Sequence, residues 1–289
     1  MKKRGTGEVW LPAMAIELSA AAPDGARLAV TVHRADGGPR LLMIPGLGSS
    51  RRVYDPLLPL LTPRLVVAVY DPRGVGDSDV TPGPYTMEQL AADAVAVLDA
   101  IGWEKAAVWG ASMGGMVAQH LALDHADRVS RLLLACTGPG GLHAVRSDPA
   151  ATRALLGKGA RTPEEAYRMA CTVLYEPEWA EAHRDFVEAQ IAYRRDHPVP
   201  AGAFSAQYEA VRHHAVYERL PAIVSPTLVI HGDRDAVMPV GNGELLALRI
   251  PGARGVWLPQ RGHLFFHEDP ESSAEAIADF TAAAAMQPS

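Results

Sequence analysis

The chain has 289 residues, a formal charge of −6, 48% hydrophobic residues and 21% charged residues. That ordinary globular balance excludes disorder and leaves ample apolar surface for a sizeable core. Acids and bases are interspersed, so the dense positive field that a phosphate backbone requires is missing, and nucleic acid is excluded as an expected partner.

From the start, the basic Met1-Lys2-Lys3-Arg4 is followed by Glu8, Pro12 and Glu17 before any apolar leader core forms. No run of ~18 apolar residues long enough to span a bilayer appears. A cytoplasmic protein with no membrane partner is therefore expected. Short apolar runs at 28–33, 41–44, 65–70 and 106–109 then read as strands, several of them apolar throughout, as strands buried on both faces are. Between them the spacing predicts a helix over 86–101, with Thr86 and Gln89 in a capping-box arrangement and Gly102 after its last turn. A second helix is expected over 113–124 and a further strand over 132–136.

From 138 to 220 the β-type runs vanish, and amphipathic segments at 164–175 and 179–194 replace them. Strands at 227–231 and 255–258 resume the alternation, with helices over 241–250 and 271–285. The fold class expected is α/β, a mostly parallel central sheet flanked by helices. Residues 1–137 and 221–289 form its core, and 138–220 form an inserted helical lid. Leu155, Leu156, Met169, Val173, Leu174, Trp179 and Phe186 make that insertion apolar enough to line a pocket, although at helical spacing packing of the helices against one another is the better account of any single one. Arg212, His213 and His214 read as a solvated helix face. Cys136 and Cys171 lie far apart without CxxC spacing, which points to ordinary thiols and not to a disulfide framework or a thiolate metal site.

Gly110-Ala111-Ser112-Met113-Gly114 fits G-x-S-x-G in the context this motif needs, after an apolar strand and opening a helix. A hydroxyl is a poor nucleophile at neutral pH, so Ser112 needs a base, and the base needs an acceptor to orient it. Late in the chain, Gly232-Asp233-Arg234-Asp235 follows one strand and Gly262-His263 follows the next. Groups at the carboxyl ends of parallel strands converge. His263 is the expected base over its rivals His231 and His267. Spacing alone leaves Asp233 and Asp235 open as the acceptor. An oxyanion needs preorganised N–H donors, and the candidates are the backbone N–H groups of Met113, just after the nucleophile, and of Leu47 in Pro45-Gly46-Leu47-Gly48. Gly110 to Gly115 lacks the Lys of a phosphate loop, and no metal or other cofactor is expected.

Across nearly its whole length the chain resembles the α/β-hydrolase superfamily. Besides the elbow, Asp71-Pro72-Arg73-Gly74-Val75-Gly76-Asp77-Ser78 is similar to a segment recurring in lidded members, where it shapes a turn beside the site and has no catalytic role. The resemblance implies Asp235, the third residue after the strand's glycine, as the acid, and Gly262-His263 as the histidine loop. Within the superfamily the chain resembles the lidded esterase and enol-lactonase group, including polyketide methylesterases and non-haem perhydrolase-type enzymes. It departs from many relatives in having Pro45-Gly46 where they carry His-Gly, and Ala111 where they carry a larger polar residue.

The expected activity is hydrolysis of a small, largely apolar carboxylic ester or lactone through an acyl-enzyme on Ser112. Carbon–carbon bond cleavage of a diketone, or thioester hydrolysis, is the alternative with the same three side chains. A binding protein that keeps the fold without catalysis is the alternative of another class.

Overall fold

The computed structural model describes residues 14–34 and 37–283. The basic start of the chain and the last residues of the helix expected to reach Ala285 lie outside them. Eight strands, β1 (Met14–Ala21), β2 (Arg27–Arg34), β3 (Arg40–Ile44), β4 (Val66–Tyr70), β5 (Ala106–Ala111), β6 (Val129–Ala135), β7 (Thr227–Gly232) and β8 (Arg254–Leu258), form one sheet in the order β1-β2-β4-β3-β5-β6-β7-β8. Only the β1–β2 and β2–β4 pairings are antiparallel. All the others are parallel.

Between the strands lie α1 (Leu58–Leu61), α2 (Met87–Ala100), α3 (Met113–Asp124), α4 (Pro149–Leu155), α5 (Pro163–Leu174), α6 (Pro177–Ala182), α7 (Arg184–Asp196), α8 (Ala201–His213), α9 (Gly241–Arg249), α10 (Phe265–Glu268) and α11 (Pro270–Ala282). The two-residue period of a strand divides the core. Leu42, Ile44, Val108, Leu132 and Leu134 join α2, α3 and α9 in one apolar cluster. Leu41, Met43, Ala107, Trp109 and Leu133 join α1, α10 and α11 in the other. β3 to β7 are therefore buried along most of their length, β6 from Leu132 onward, which is why apolar runs dominate their sequences.

The structure departs from the sequence reading in several places. β1 was not anticipated, nor were the short α1, α4 and α10, nor α8. The stretch expected to be helical over 179–194 breaks at His183 into α6 and α7. Only half of the capping box forms: Thr86 Oγ1 accepts from the Gln89 N–H at 3.1 Å, while the Gln89 side chain turns away to Asp24.

Chain order reverses about β3, since β4 lies on one side of it and β5 on the other. In an open parallel sheet, the crevice outside the carboxyl ends of strands at such a point is where ligands settle. The loops after β3 and β5 meet there.

Candidate active site

Ser112 sits between β5 and α3 with φ 56°, ψ −120°, a left-handed region that costs a non-glycine residue about 1–3 kcal/mol and persists only where its surroundings enforce it. The surroundings do so from both sides: the Ser112 N–H donates to the Ala135 carbonyl (2.9 Å) and its own carbonyl accepts from Thr137 Oγ1 (2.8 Å). The turn closes because Gly110 and Gly114 carry no side chain. A Cβ on Gly114 would run into the Ile44 and Pro45 carbonyls, and one on Gly110 into the backbone of Gly114 and Gly115.

Asp235, after β7, is buried, and each of its oxygens has a separate task. Oδ1 accepts the N–H groups of Val237 and Met238, each at 2.8 Å, which fixes the carboxylate plane. Oδ2 stands 2.7 Å from His263 Nδ1. A carboxylate can only accept, so Nδ1 is the donor, and in the neutral ring this leaves the lone pair on Nε2, the form a general base must present. Burial pushes the Asp235 carboxyl up, but His263 and His231 beside it prevail and hold it at about 2.

The loop carrying His263 is pinned at both ends. Before it, the Gly262 N–H donates to the buried Glu268 (2.9 Å), which also holds the Glu176 N–H (2.7 Å). After it, Phe265 and Phe266 pack edge-on against Trp109 at 6.3 and 6.2 Å. Trp109 belongs to β5, so the strand that presents Ser112 also seats the helix that follows His263.

Ser112, His263, Leu47 and Met113 line one cavity of about 250 Å³. A hydrogen bond between Ser112 Oγ and the His263 ring is not among those the structure makes; such contacts often close only once substrate is present. The backbone N–H groups of Leu47 and Met113 have no protein acceptor among the described residues. Gly46 approaches Ser112 closely, since a Cβ there would lie 3.3 Å from Ser112 Cβ. Leu155, Leu174, Phe204, Val211, Val237 and Phe266 supply apolar walls, and Arg194 is their one guanidinium.

Among the insertion side chains singled out in the sequence, only Leu155 and Leu174 reach this cavity; Trp179 and Phe186 stack around Tyr175 instead. His214 does not belong to a solvated face: it is buried, with Nε2 on the Gly138 carbonyl, and burial lowers it to about 3. His267 is held between the Tyr175 hydroxyl and the Val53 carbonyl, and burial lowers it to about 4. His231 lies beside Asp235, with Nε2 2.6 Å from the Met238 carbonyl and 3.2 Å from Asp235 Oδ2. Asp233 accepts the Gln260 N–H at 2.7 Å and so joins the two late loops.

Cys136 and Cys171 are buried free thiols. In the Asp71 to Ser78 segment, Asp71 gathers the Arg51 and Asp77 N–H groups, and buried Arg73 pairs with Asp93 at 2.6 Å. Among the described residues no group of three or more His, Cys, Asp or Glu could hold a metal ion, and no helix is long and apolar enough to cross a membrane.

The chain matches the α/β hydrolase fold family over residues 39–270 and belongs to it. It is 32% identical over 249 residues to RutD of Caulobacter segnis, named as a candidate carbamate hydrolase, covering 83% of this chain and 90% of that one. Among solved structures it is similar to a hydrolase from Pseudomonas aeruginosa, with a TM-score of 0.82, 34% identity, and coverage of 92% of this chain and 98% of that one. It is also similar to the enol-lactonase of Burkholderia xenovorans, with a TM-score of 0.79, 26% identity, and coverage of 91% and 99%. The sequence and its relatives thus agree on a hydrolase of this family.

Proposed function

We propose that the protein cleaves a carboxylic ester or lactone, with Ser112 as nucleophile, His263 as base and Asp235 as the acceptor that orients the base. The observation that carries this reading is the 2.7 Å contact of His263 Nδ1 with Asp235, on a ring that lines the same cavity as Ser112. Ser112 Oγ attacks the carbonyl carbon as His263 Nε2 takes its proton, and the tetrahedral oxyanion is received by the Leu47 and Met113 N–H groups. Collapse expels the alcohol, which leaves with the proton from His263. Water then attacks the acyl-enzyme by the same route and releases the acid.

The apolar walls support a largely apolar substrate, and residues 138–220 act in this reading as a lid, since α4, α5, α7 and α8 all contribute side chains to the cavity. The relationship to RutD favours a second reading, carbamate hydrolysis with the same residues. A panel of p-nitrophenyl esters of graded acyl length, run beside lactone, thioester, diketone and carbamate substrates, separates the readings. The highest kcat/KM is expected for an ester or lactone, with turnover lowered about 10³-fold or more in Ser112→Ala. Preference for a carbamate or diketone over every ester would replace the substrate class. Wild-type turnover by Ser112→Ala would remove the mechanism.

A further inference from the structure

The loop after β3 can be followed peptide by peptide. The Gly46 carbonyl accepts from the Ser49 N–H at 3.1 Å. The Gly48 N–H donates to Gln207 Oε1 at 2.8 Å, and the Gly48 carbonyl accepts from the Arg194 guanidinium. Gly48 has φ +61°, and a Cβ there would lie 2.9 Å from the Phe204 ring. The two peptides that flank Gly48 are therefore tied down, while the Leu47 N–H just before them has no acceptor among the described residues.

The ties on Gly48 do not come from the sheet. Gln207 and Phe204 belong to α8, and Arg194 to α7. Gln207 is fully buried, and its amide nitrogen donates to the Arg73 carbonyl at 3.0 Å. A backbone N–H can only donate and a carbonyl can only accept, so these two partners fix the orientation of the amide. Arg73 is itself held by Asp93 and Asp24. One side chain of the insertion thus joins the loop after β3 to the loop after β4. A buried glutamine with both ends engaged is costly to disturb, because either partner left alone keeps its full desolvation penalty.

We propose that Gln207, supported by Arg194, is a positioning residue through which the helical insertion sets the Leu47 N–H for the oxyanion. This rests on the role given to Leu47 above. Donors act in the transition state only if they are already aimed where charge develops, so loosening the clamp lowers kcat while ground-state binding stays as it was.

Gln207→Met keeps the length of the side chain and removes both hydrogen bonds. With p-nitrophenyl butyrate, kcat should fall about tenfold or more while KM stays within about twofold. The Ki of an alkyl trifluoromethyl ketone of matching chain length, which gives a tetrahedral adduct on a serine oxygen, should rise by a comparable factor. A folded Gln207→Met with wild-type kcat and Ki overturns the proposal, as does a loss confined to KM. If Gln207→Met lacks a cooperative thermal transition, Arg194→Met is read by the same two numbers: a parallel loss in kcat and ketone affinity supports the clamp, and wild-type values overturn it. Ser112→Ala run alongside separates the two levels, because wild-type turnover there defeats the serine mechanism itself, whereas an inactive Ser112→Ala beside an unaffected Gln207→Met defeats the clamp alone.

Discussion

Asp233 and Asp235 stand one residue apart after β7, yet their carboxylates face different partners. Asp235 gives Oδ1 to its own loop and Oδ2 to His263, whereas Asp233 ties the loop after β7 to the Gln260 N–H after β8. Replacing Asp235 by Asn should lower kcat on the order of 10³- to 10⁴-fold, because an amide turned to donate no longer holds Nδ1 in its protonated tautomer. Asp233→Asn keeps an acceptor oxygen and should cost less than about tenfold. Steady-state rates on one ester decide it, and the reverse ranking would reassign the acid. Spacing left these two aspartates open, and the family resemblance chose between them; the difference lies in which backbone N–H groups each carboxylate meets, which no local pattern encodes. Gln207 was invisible for a related reason, since a glutamine on an amphipathic helix reads as solvent-facing until the loop it touches is known.

The elbow is where one strand, one turn and one helix must pass within backbone contact of a neighbour. Gly114 opens α3 against the Ile44 and Pro45 carbonyls of the loop after β3. Gly114→Ala should therefore destabilise by about 1–3 kcal/mol or more and impair turnover, since it separates the two N–H donors. Gly202→Ala in α8, where a Cβ meets nothing within 4 Å, should be neutral or stabilise by up to about 1 kcal/mol. Thermal melts of the pair test this, and equal losses would contradict the close approach.

The buried parallel strands were plain in the sequence because both faces are covered and the runs are apolar throughout. β1 was not, although Ile16, Leu18 and Ala20 alternate with Glu17 and Ser19: its alanines carry little strand preference, and its pairing with β2 is remote from that local pattern. α8 lacks a side-chain cap and holds Gly202 near its start, so its beginning left no signal. The break at His183 divides two helices whose apolar spacing runs on through it, which periodicity cannot detect.

At the scale of the whole molecule, a serine after β5, an aspartate after β7 and a histidine after β8 are brought to one end of one sheet. The core does more than support them. Trp109 and Phe265 link the strand of the serine to the helix after the histidine, and side chains of α7 and α8 hold the loop after β3. The order of the residues along the chain was legible because parallel strands place their carboxyl ends together. The part contributed by residues 138–220 was not, because helices that pack over a site have the same amphipathic pattern as helices that pack anywhere else.

Labelling with a fluorophosphonate, followed by peptide mass spectrometry, tests the central claim most directly. The account predicts a single adduct on Ser112, absent in Ser112→Ala and formed at least about 10²-fold more slowly in His263→Ala. An adduct on another residue, or equal labelling rates in the wild type and His263→Ala, would contradict it.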